Sequence, residues 1–377
     1  MEQNEKIKWS QFTILVTLFT IGTSVLLAPT LVAQEAKQDA WIVTIIGVIL
    51  GYPLLFLYNK IASSFAGRDF FTYVTDLLGT WPGKIISLLL FIYCVFLSSL
   101  LIRQVAHFAV TQSFVETPKE AIISFFVLIV IVGGRYGIET LARTGEILFP
   151  WVFFLLFILL IALIPELKTE RLFPMFEEGV KPLFLGTFVY MGIPYFELFL
   201  FLILIPYIKQ TGKTEKTGKA FYIGMTLGGI VLIIITLYAL LTLGAEATAR
   251  NQFPSYVMAK TISIANIIER IESFLAAIWF VTIFMKSALT FYCSTLCLAN
   301  VFNLKDKKFL MVPLGFVLVF LTEYITPNIA HFSEFVLNTW TLYTGTYAIL
   351  LPLLLITVAA FKKRNERRVK HAQEGKN

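Results

Sequence analysis

Charged residues are scarce in this chain of 377 residues. Asp, Glu, Lys and Arg together make up 15% of it, while hydrophobic residues make up 57%, and the mean hydropathy is +0.78. A soluble globular domain carries about 25% charged residues, so the composition excludes a soluble enzyme. Repeated apolar runs of about 20 residues are each long enough to cross a bilayer as a helix. The sequence therefore predicts an all-α integral membrane protein.

Cysteine and histidine are also rare, with three of each. Cys94, Cys293 and Cys297 all lie within apolar runs, which leaves no cysteine for a disulfide in an outer loop. A zinc site would need further Cys or His ligands at suitable spacing, and the sequence offers none. Paired carboxylates and nucleophile–base sets are not evident either. We therefore expect cysteines that only pack, no metal, no cofactor and no enzymatic activity.

Ten apolar spans follow one another along the chain. They divide into two sets of five, and an odd number of spans per set means that the second set enters the membrane in the opposite direction, as in an inverted repeat. We predict a transmembrane domain over 1–361 with halves at 9–164 and 181–361, followed by a disordered basic tail at 362–377. The spans lie at 9–33, 38–60, 84–112, 118–135, 139–164, 181–207, 219–245, 270–302, 308–326 and 334–361.

The basic residues indicate how the spans are oriented. Most of the 31 Lys and Arg residues lie in connections on the side of the N-terminus, or in the tail. Basic loop residues collect on the cytoplasmic side of a membrane protein, so we expect both termini to be cytoplasmic. Because the net charge of +7 is spread over short loops, it is a topology signal, and nucleic-acid binding is not expected.

Glycine and proline interrupt the first span of each half near its middle. The first span contains "FTIGTSVLLAP" (19–29), and the sixth contains "YMGIPYFE" (190–197). Irregular backbone inside a membrane is tolerated where it is buried in protein or lines a cavity, and two breaks at matching positions indicate a shared binding site. The N-termini of the half-helices would attract a carboxylate. The alternative is ordinary packing of small residues between helices.

Three charged residues lie deep inside spans, away from their ends: Arg103 in the third, Glu197 in the sixth and Lys286 in the eighth. A charge at the bilayer centre costs ~2.5–3.5 kcal/mol on insertion scales. We therefore expect all three to face the interior of the bundle and to have partners, with Glu197 as the candidate partner of Lys286. An ion pair that is purely structural remains an alternative.

Three long motifs resemble the B subunits of GerA-type spore germinant receptors. They are "IGTSVLLAPTLVAQEAKQDAWI" in the first span, "RYGIETLARTGEILFPW" across the fourth and fifth, and "IERIESFLAAIWFVTIFMKSALTF" entering the eighth. The resemblance extends over essentially the whole chain. It implies the fold of the amino acid–polyamine–organocation transporters, with broken helices 1 and 6 and a ligand pocket between helices 1, 3, 6 and 8.

The same resemblance implies a function and partners. The protein would bind a small nutrient, foremost an amino acid, and would trigger germination from the spore inner membrane beside an A subunit and a C lipoprotein. In related transporter folds, a cation between helices 1 and 8 holds the occluded state, and Lys286 is expected to supply a fixed charge there. The implied ligand-binding residues are Gly22, Thr23, Ser24, Tyr93, Leu97, Gly192, Tyr195, Leu198, Ser287 and Phe291.

Two other functions remain open from the sequence. A proton- or sodium-coupled amino acid transporter would share the fold and the pocket, so the spans do not separate it from a receptor. A purely structural membrane scaffold would have no need of two matching helix breaks. The identity of the nutrient is also open: a small amino acid with a modest apolar side chain suits the predicted walls, and sugars are not excluded.

Overall fold

A computed structural model describes residues 5–65, 68–209, 215–262, 270–325 and 334–374. Most of the chain in these ranges is helical, and the only β-structure in them is an isolated bridge between Ile7 and Ile208. Seven helical runs in the described part are long and apolar enough to cross a membrane. The protein is therefore a multi-pass membrane protein.

The α-helices follow the predicted spans with short connections. In chain order they are α1 (Trp9–Ile21), α2 (Ser24–Ala36), α3 (Ala40–Ser64), α4 (Phe70–Leu78), α5 (Thr80–Phe108), α6 (Lys119–Arg135), α7 (Gly137–Leu163), α8 (Lys181–Met191), α9 (Phe201–Leu204), α10 (Glu215–Leu243), α11 (Ala245–Arg250), α12 (Pro254–Lys260), α13 (Glu272–Phe302), α14 (Lys308–Tyr324), α15 (Thr341–Gly345) and α16 (Leu351–Glu374).

Three of the predicted spans are shorter than a typical membrane-crossing helix of ~20 residues. The first span is divided into α1 and α2, which have 13 residues each. The fourth and ninth spans, α6 and α14, have 17 residues each. The last span is irregular, because π-helical turns at Val336–Trp340 and Thr346–Leu350 flank α15. The count of ten membrane helices stays a prediction.

The core lies around α13, which packs along α5, α6 and α7, while α1 packs along α10 and α7. Apolar side chains also cover the outside of the bundle: Phe125 in α6 is 66% exposed and Phe316 in α14 is 73% exposed. In water such an exterior would be unfavourable, but in a bilayer it faces hydrocarbon. The exterior therefore fits the membrane assignment.

The segment before α1 fastens to distant parts of the chain, and we call these contacts the N-terminal clasp. The backbone N–H of Ile7 donates to the carbonyl of Tyr207 at 2.9 Å. The Tyr292 hydroxyl donates to Glu5 Oε2 at 3.2 Å, and the Lys307 Nζ donates to the same hydroxyl at 2.7 Å. The clasp thus joins the N-terminus to the end of the sixth span and to α13.

The tail differs from the prediction. Residues 362–374 were expected to be disordered, but they continue α16 as helix to Glu374. Lys, Arg, Glu and Gln are good helix formers, and a helix that is already formed extends at little cost because nucleation is the expensive step. High charge alone therefore does not end the last helix at the membrane boundary.

Candidate ligand site at two helix breaks

The first break separates α1 from α2 at Gly22 and Thr23. Gly22 has φ 20° and ψ −116°, a conformation that residues with a Cβ rarely adopt. The carbonyl of Gly22 accepts a hydrogen bond from the side chain of another helix, from Thr282 Oγ1 at 3.2 Å. The break is thus held open by α13, the helix that faces it.

The second break follows α8. Residues 192–195 form a turn, and the chain then continues as a 3₁₀ helix, Phe196–Leu200, before α9. Pro194 has no backbone N–H and cannot sit inside a regular helix without losing a hydrogen bond. The carbonyl of Ile193 accepts a hydrogen bond from Lys286 Nζ at 3.3 Å. A residue of α13 therefore contacts this break as well.

Lys286 is the residue that connects the two breaks. Its Nζ lies 2.7 Å from Glu197 Oε2, and the side chains of both residues are almost completely buried, at 0% and 2% exposure. The same Nζ is 3.5 Å from Thr23 Oγ1 and 5.0 Å from the centre of the Phe19 ring. The ammonium therefore contacts the first break, the second break and the carboxylate beyond it.

Trp340 completes the surroundings of the carboxylate. Its Nε1 donates to Glu197 Oε1 at 3.1 Å, while Glu197 Oε2 lies against the Lys286 ammonium in the ion pair. A buried ion pair is tolerable when its desolvation cost is offset by close geometry and further hydrogen bonds, and this pair has both. The expected pairing of Lys286 with Glu197 is present in the structure.

A cavity of about 30 Å³ lies beside this ion pair. Residues near the two breaks form one side of it, namely Thr23, Leu27, Ile193 and Glu197. One face of α5 and the last span form the other side. A water molecule needs a cavity of about 10–15 Å³, so this cavity has room for about two waters. Ligand pockets usually measure about 300–1,000 Å³, so a nutrient would have to push the walls apart.

Three of the residues predicted to bind ligand or to carry charge meet at this cavity: Thr23, Leu97 and Glu197. Gly22 lies next to it, against Lys286, because a Cβ at Gly22 would stand 2.6 Å from the Lys286 Cδ. Ser24 and Ser287 are buried, and their hydroxyls have no hydrogen-bond partner among the residues that the structure describes.

Other predicted residues pack elsewhere. Tyr93 stacks on Trp340 with ring centres 5.8 Å apart, so it supports the cavity wall from behind. A Cβ at Gly192 would meet Thr341. Tyr195 packs against Gly51 on α3, on the far side of the sixth span.

The remaining predicted residues also lie outside the cavity wall. Leu198 is completely buried and is not part of that wall. Phe291 contacts Gly134 on α6. The guanidinium of Arg103 lies 4.0 Å from a carboxylate oxygen of Glu323, so Arg103 does not belong to the central ion pair.

The sequence reasoning missed several residues of the wall. Leu100, Leu101 and Gln104 follow Leu97 on one face of α5, and Val336 and Trp340 come from the last span. The i, i+3, i+4, i+7 spacing from Leu97 could have identified the α5 residues. No comparable sequence signal pointed to the last span.

A larger groove lies on the outside of the bundle. It measures about 720 Å³ and is formed by apolar residues of α5, α6, α7 and α13, including Phe125 and Phe284, with a threonine at its edge. None of the predicted site residues lines it. Since it opens on the surface that faces lipid, we place the candidate site at the smaller cavity.

Comparison with known proteins identifies the family of the chain. A family model described as spore germination protein matches residues 6–330 of the chain. The chain belongs to the spore germination protein family. Spore germination protein KB of Bacillus subtilis (strain 168) is 26% identical over 372 residues, which cover 98% of each chain. Spore germination protein GerLB of Bacillus cereus is 24% identical over 376 residues, which cover 96% of each chain. The family predicted from the three motifs is therefore confirmed.

This spore germination protein shares its fold with solved transporters. Mhp1, a nucleobase-cation-symport-1 transporter in a closed conformation with bromovinylhydantoin bound, has a TM-score of 0.72 at 13% identity, covering 94% of this chain and 78% of Mhp1. MhsT in complex with L-phenylalanine has a TM-score of 0.65 at 13% identity, covering 95% of this chain and 99% of MhsT. At this identity the likeness shows the fold alone, which is that of the LeuT-type transporters.

Proposed function

We propose that this protein is the ligand-sensing membrane subunit of a spore nutrient-germinant receptor. It binds a small nutrient, foremost an amino acid, at the cavity between the two helix breaks, and binding triggers germination. It is not an enzyme. The observation that carries the proposal is the position of Lys286: its ammonium contacts both breaks and Glu197, directly beside the cavity.

This position gives a route from ligand to response. A nutrient that enters the cavity displaces the wall formed by Thr23, Glu197 and Trp340, and those side chains hold or contact the ion pair. A binding event near the membrane midplane is thereby linked to the relative position of the first and sixth spans. Lys286 takes the place of a bound cation between the first and eighth spans, so sodium is not required.

The architecture that we propose is ten membrane helices in two inverted halves of five. The contacts support it, because α1 of the first span packs on α10 of the seventh, while α8 of the sixth packs on α3 of the second. In an inverted repeat the first span corresponds to the sixth, and the second span corresponds to the seventh. The contact between the first and seventh spans therefore corresponds to the contact between the sixth and second, as a twofold relation between the halves requires. Both termini and the basic tail are cytoplasmic.

We propose the spore inner membrane as the location, with an A subunit and a C lipoprotein as partners. Family membership supports this assembly, since the relatives are germination proteins. The second candidate function is a coupled amino acid transporter. It is favoured by the solved structures of the same fold, one of which is a Na⁺-coupled sialic acid symporter.

The deciding experiment uses spores that lack this protein and spores that carry a cavity-filling variant. Leu97→Trp places an indole into the cavity wall and is expected to abolish the response to the nutrient. Spores are exposed to a panel of amino acids, sugars and salts, and germination rate is measured across concentrations. A panel response that is unchanged in spores lacking the protein would contradict the proposed function.

The matched control is Leu89→Trp, on the same helix. Leu89 is 46% exposed on the outside of the bundle, so the same substitution there faces lipid and should leave the response intact. Protein levels are compared by immunoblot. Uptake of labelled nutrient into liposomes that contain the purified protein separates the two candidate functions: accumulation driven by a sodium or proton gradient would favour the transporter.

A further inference from the structure

Gln104 stands out among the residues of the cavity wall. Leu97, Leu100 and Leu101 form an aliphatic stripe on α5, and Gln104 continues this stripe on the same face. Its side chain is 4% exposed. An amide placed at the end of an aliphatic wall has no packing advantage over a leucine, so its polar group needs a separate explanation.

The amide nitrogen of Gln104 has no acceptor among the residues that the structure describes. A buried N–H donor without a partner is destabilising, and most buried side-chain donors in folded proteins are paired. The neighbouring polar groups are already engaged: the carboxylate of Glu197 receives Lys286 and Trp340. Gln104 thus brings to the cavity wall a hydrogen-bond donor that the described part of the protein does not use.

We propose that Gln104 is a specificity-determining residue whose amide donates a hydrogen bond to an oxygen of the nutrient. This inference rests on the proposed function and narrows its ligand class. The site prefers nutrients with a carbonyl or hydroxyl oxygen over aliphatic nutrients of the same shape. A site built to hydrogen-bond a polar group discriminates strongly against the analogue that lacks it, because its own polar group is then left unpaired.

The other residues of the wall fit this preference. The part near the breaks includes the polar Thr23 and Glu197, while the α5 residues that precede Gln104 on the same face are leucines. A ligand with a polar oxygen remote from its backbone groups can use Gln104 as well as the polar groups near the breaks. A purely aliphatic side chain leaves Gln104 unpaired.

The test uses pairs of amino acids that are similar in shape, of which only one member has a polar side chain with an oxygen. L-asparagine is compared with L-leucine, and L-threonine with L-valine, by titrating the purified full-length protein in lipid nanodiscs and following its thermal stability. In the wild type, the member with a side-chain oxygen should bind about tenfold more tightly in at least one pair, which corresponds to about one hydrogen bond. In Gln104→Leu this ratio should fall to about one.

Further variants keep the test decisive. Gln104→Met removes the donor with little change of volume and should behave like Gln104→Leu, while Gln104→Asn keeps a donor and should keep part of the preference. Gln34→Leu serves as the control, because Gln34 is exposed and donates to the carbonyl of Ala249, away from the cavity. It should retain the wild-type ratio.

The outcomes separate this inference from the function on which it rests. Equal affinity for both members of each pair in the wild type, or an unchanged ratio in both Gln104→Leu and Gln104→Met, would overturn the role of Gln104 and leave the nutrient receptor standing. Absence of binding for all four amino acids would contradict the amino acid ligand and, with it, the role of Gln104.

Discussion

Gly22 and Lys286 occupy one small space and depend on each other. Gly22 adopts a backbone conformation that favours glycine, and the Lys286 side chain passes where its Cβ would be, at 2.6 Å. The glycine that breaks the helix is also the residue that lets the lysine reach both breaks. The sequence suggested that this glycine makes room for a ligand, but the nearest group is the lysine.

A small substitution at Gly22 should therefore act through Lys286. Gly22→Ala introduces strain of about 1–3 kcal/mol from the backbone and also forces the lysine to move, so we expect a lower melting temperature and a weak germination response. Gly179→Ala isolates the backbone effect, because Gly179 has φ +76° and no atom within 4 Å of its Cβ position. Equal effects of the two substitutions on stability would show that the contact with Lys286 is unimportant.

The ion pair between Lys286 and Glu197 leads to a second prediction about single residues. Lys286→Met leaves a buried carboxylate without its cation, and Glu197→Gln leaves a buried ammonium, so each should destabilise the protein by about 3–5 kcal/mol. The double variant leaves no uncompensated charge and should be less harmful than either single variant. Melting temperatures and germination rates are measured for all four proteins at matched levels. Additive losses would argue against coupling between the two residues.

Sequence reasoning reached the ion pair but not the whole wall, and the reason is physical. A charge inside a membrane span is expensive, so Lys286 and Glu197 are visible from composition alone. Gln104 is neutral and costs less to bury, and Trp340 is indistinguishable from other aromatic residues of the bundle. Gln104 and Trp340 belong to the cavity wall only because of the helices that they face. The sequence alone does not show which helices face each other.

At the scale of elements, glycines set how closely the helices approach. Gly224 and Gly228 on α10 lie against α1, and Gly47 and Gly51 on α3 lie against the sixth span and Met225 of the seventh. Both pairs have i, i+4 spacing, the small-residue pattern that allows close contact of membrane helices. The two broken spans are thus each supported by a glycine face of a neighbouring continuous helix.

Filling one of these faces should separate α10 from α1. A Cβ at Gly228 would stand 2.7 Å from the Thr20 Cβ and 3.2 Å from the carbonyl of Thr17, so Gly228→Ala should lower the melting temperature and the amount of folded protein. Gly218→Ala, on the same helix, meets nothing closer than 3.5 Å and should be neutral or stabilising by up to about 1 kcal/mol. Fluorescence-detected size exclusion after heating measures both; a Gly228 variant as stable as the Gly218 variant would contradict the close approach.

The elements themselves were largely predictable, because long apolar runs leave few alternatives to helix in a membrane. Apart from the two breaks at glycine and proline, what could not be predicted is where regular helix gives way to other turns. The π-helical turns at Val336–Trp340 and Thr346–Leu350 contain no glycine or proline pair. They depend on packing against other spans, and only the three-dimensional arrangement supplies that information.

For the whole molecule, thiol labelling tests on which side of the membrane each loop lies. The native cysteines Cys94, Cys293 and Cys297 are all buried, so we expect them to react little with a thiol reagent. A cysteine at Glu170 should react with an impermeant thiol reagent in intact cells, and a cysteine at Lys209 should react only after permeabilisation. The opposite pattern would place the N-terminus outside and reverse the inference from basic residues.

The N-terminal clasp has a consequence for how the protein is made. Glu5 is synthesised long before its hydroxyl partner Tyr292, which lies 287 positions later. The carboxylate of Glu5 and the break in the first span therefore lack their partners on α13 until the eighth span has been inserted. Contacts between such distant positions form late, so a chain truncated before α13 would expose these groups to quality control. Closure of this end of the bundle therefore follows the insertion of α13.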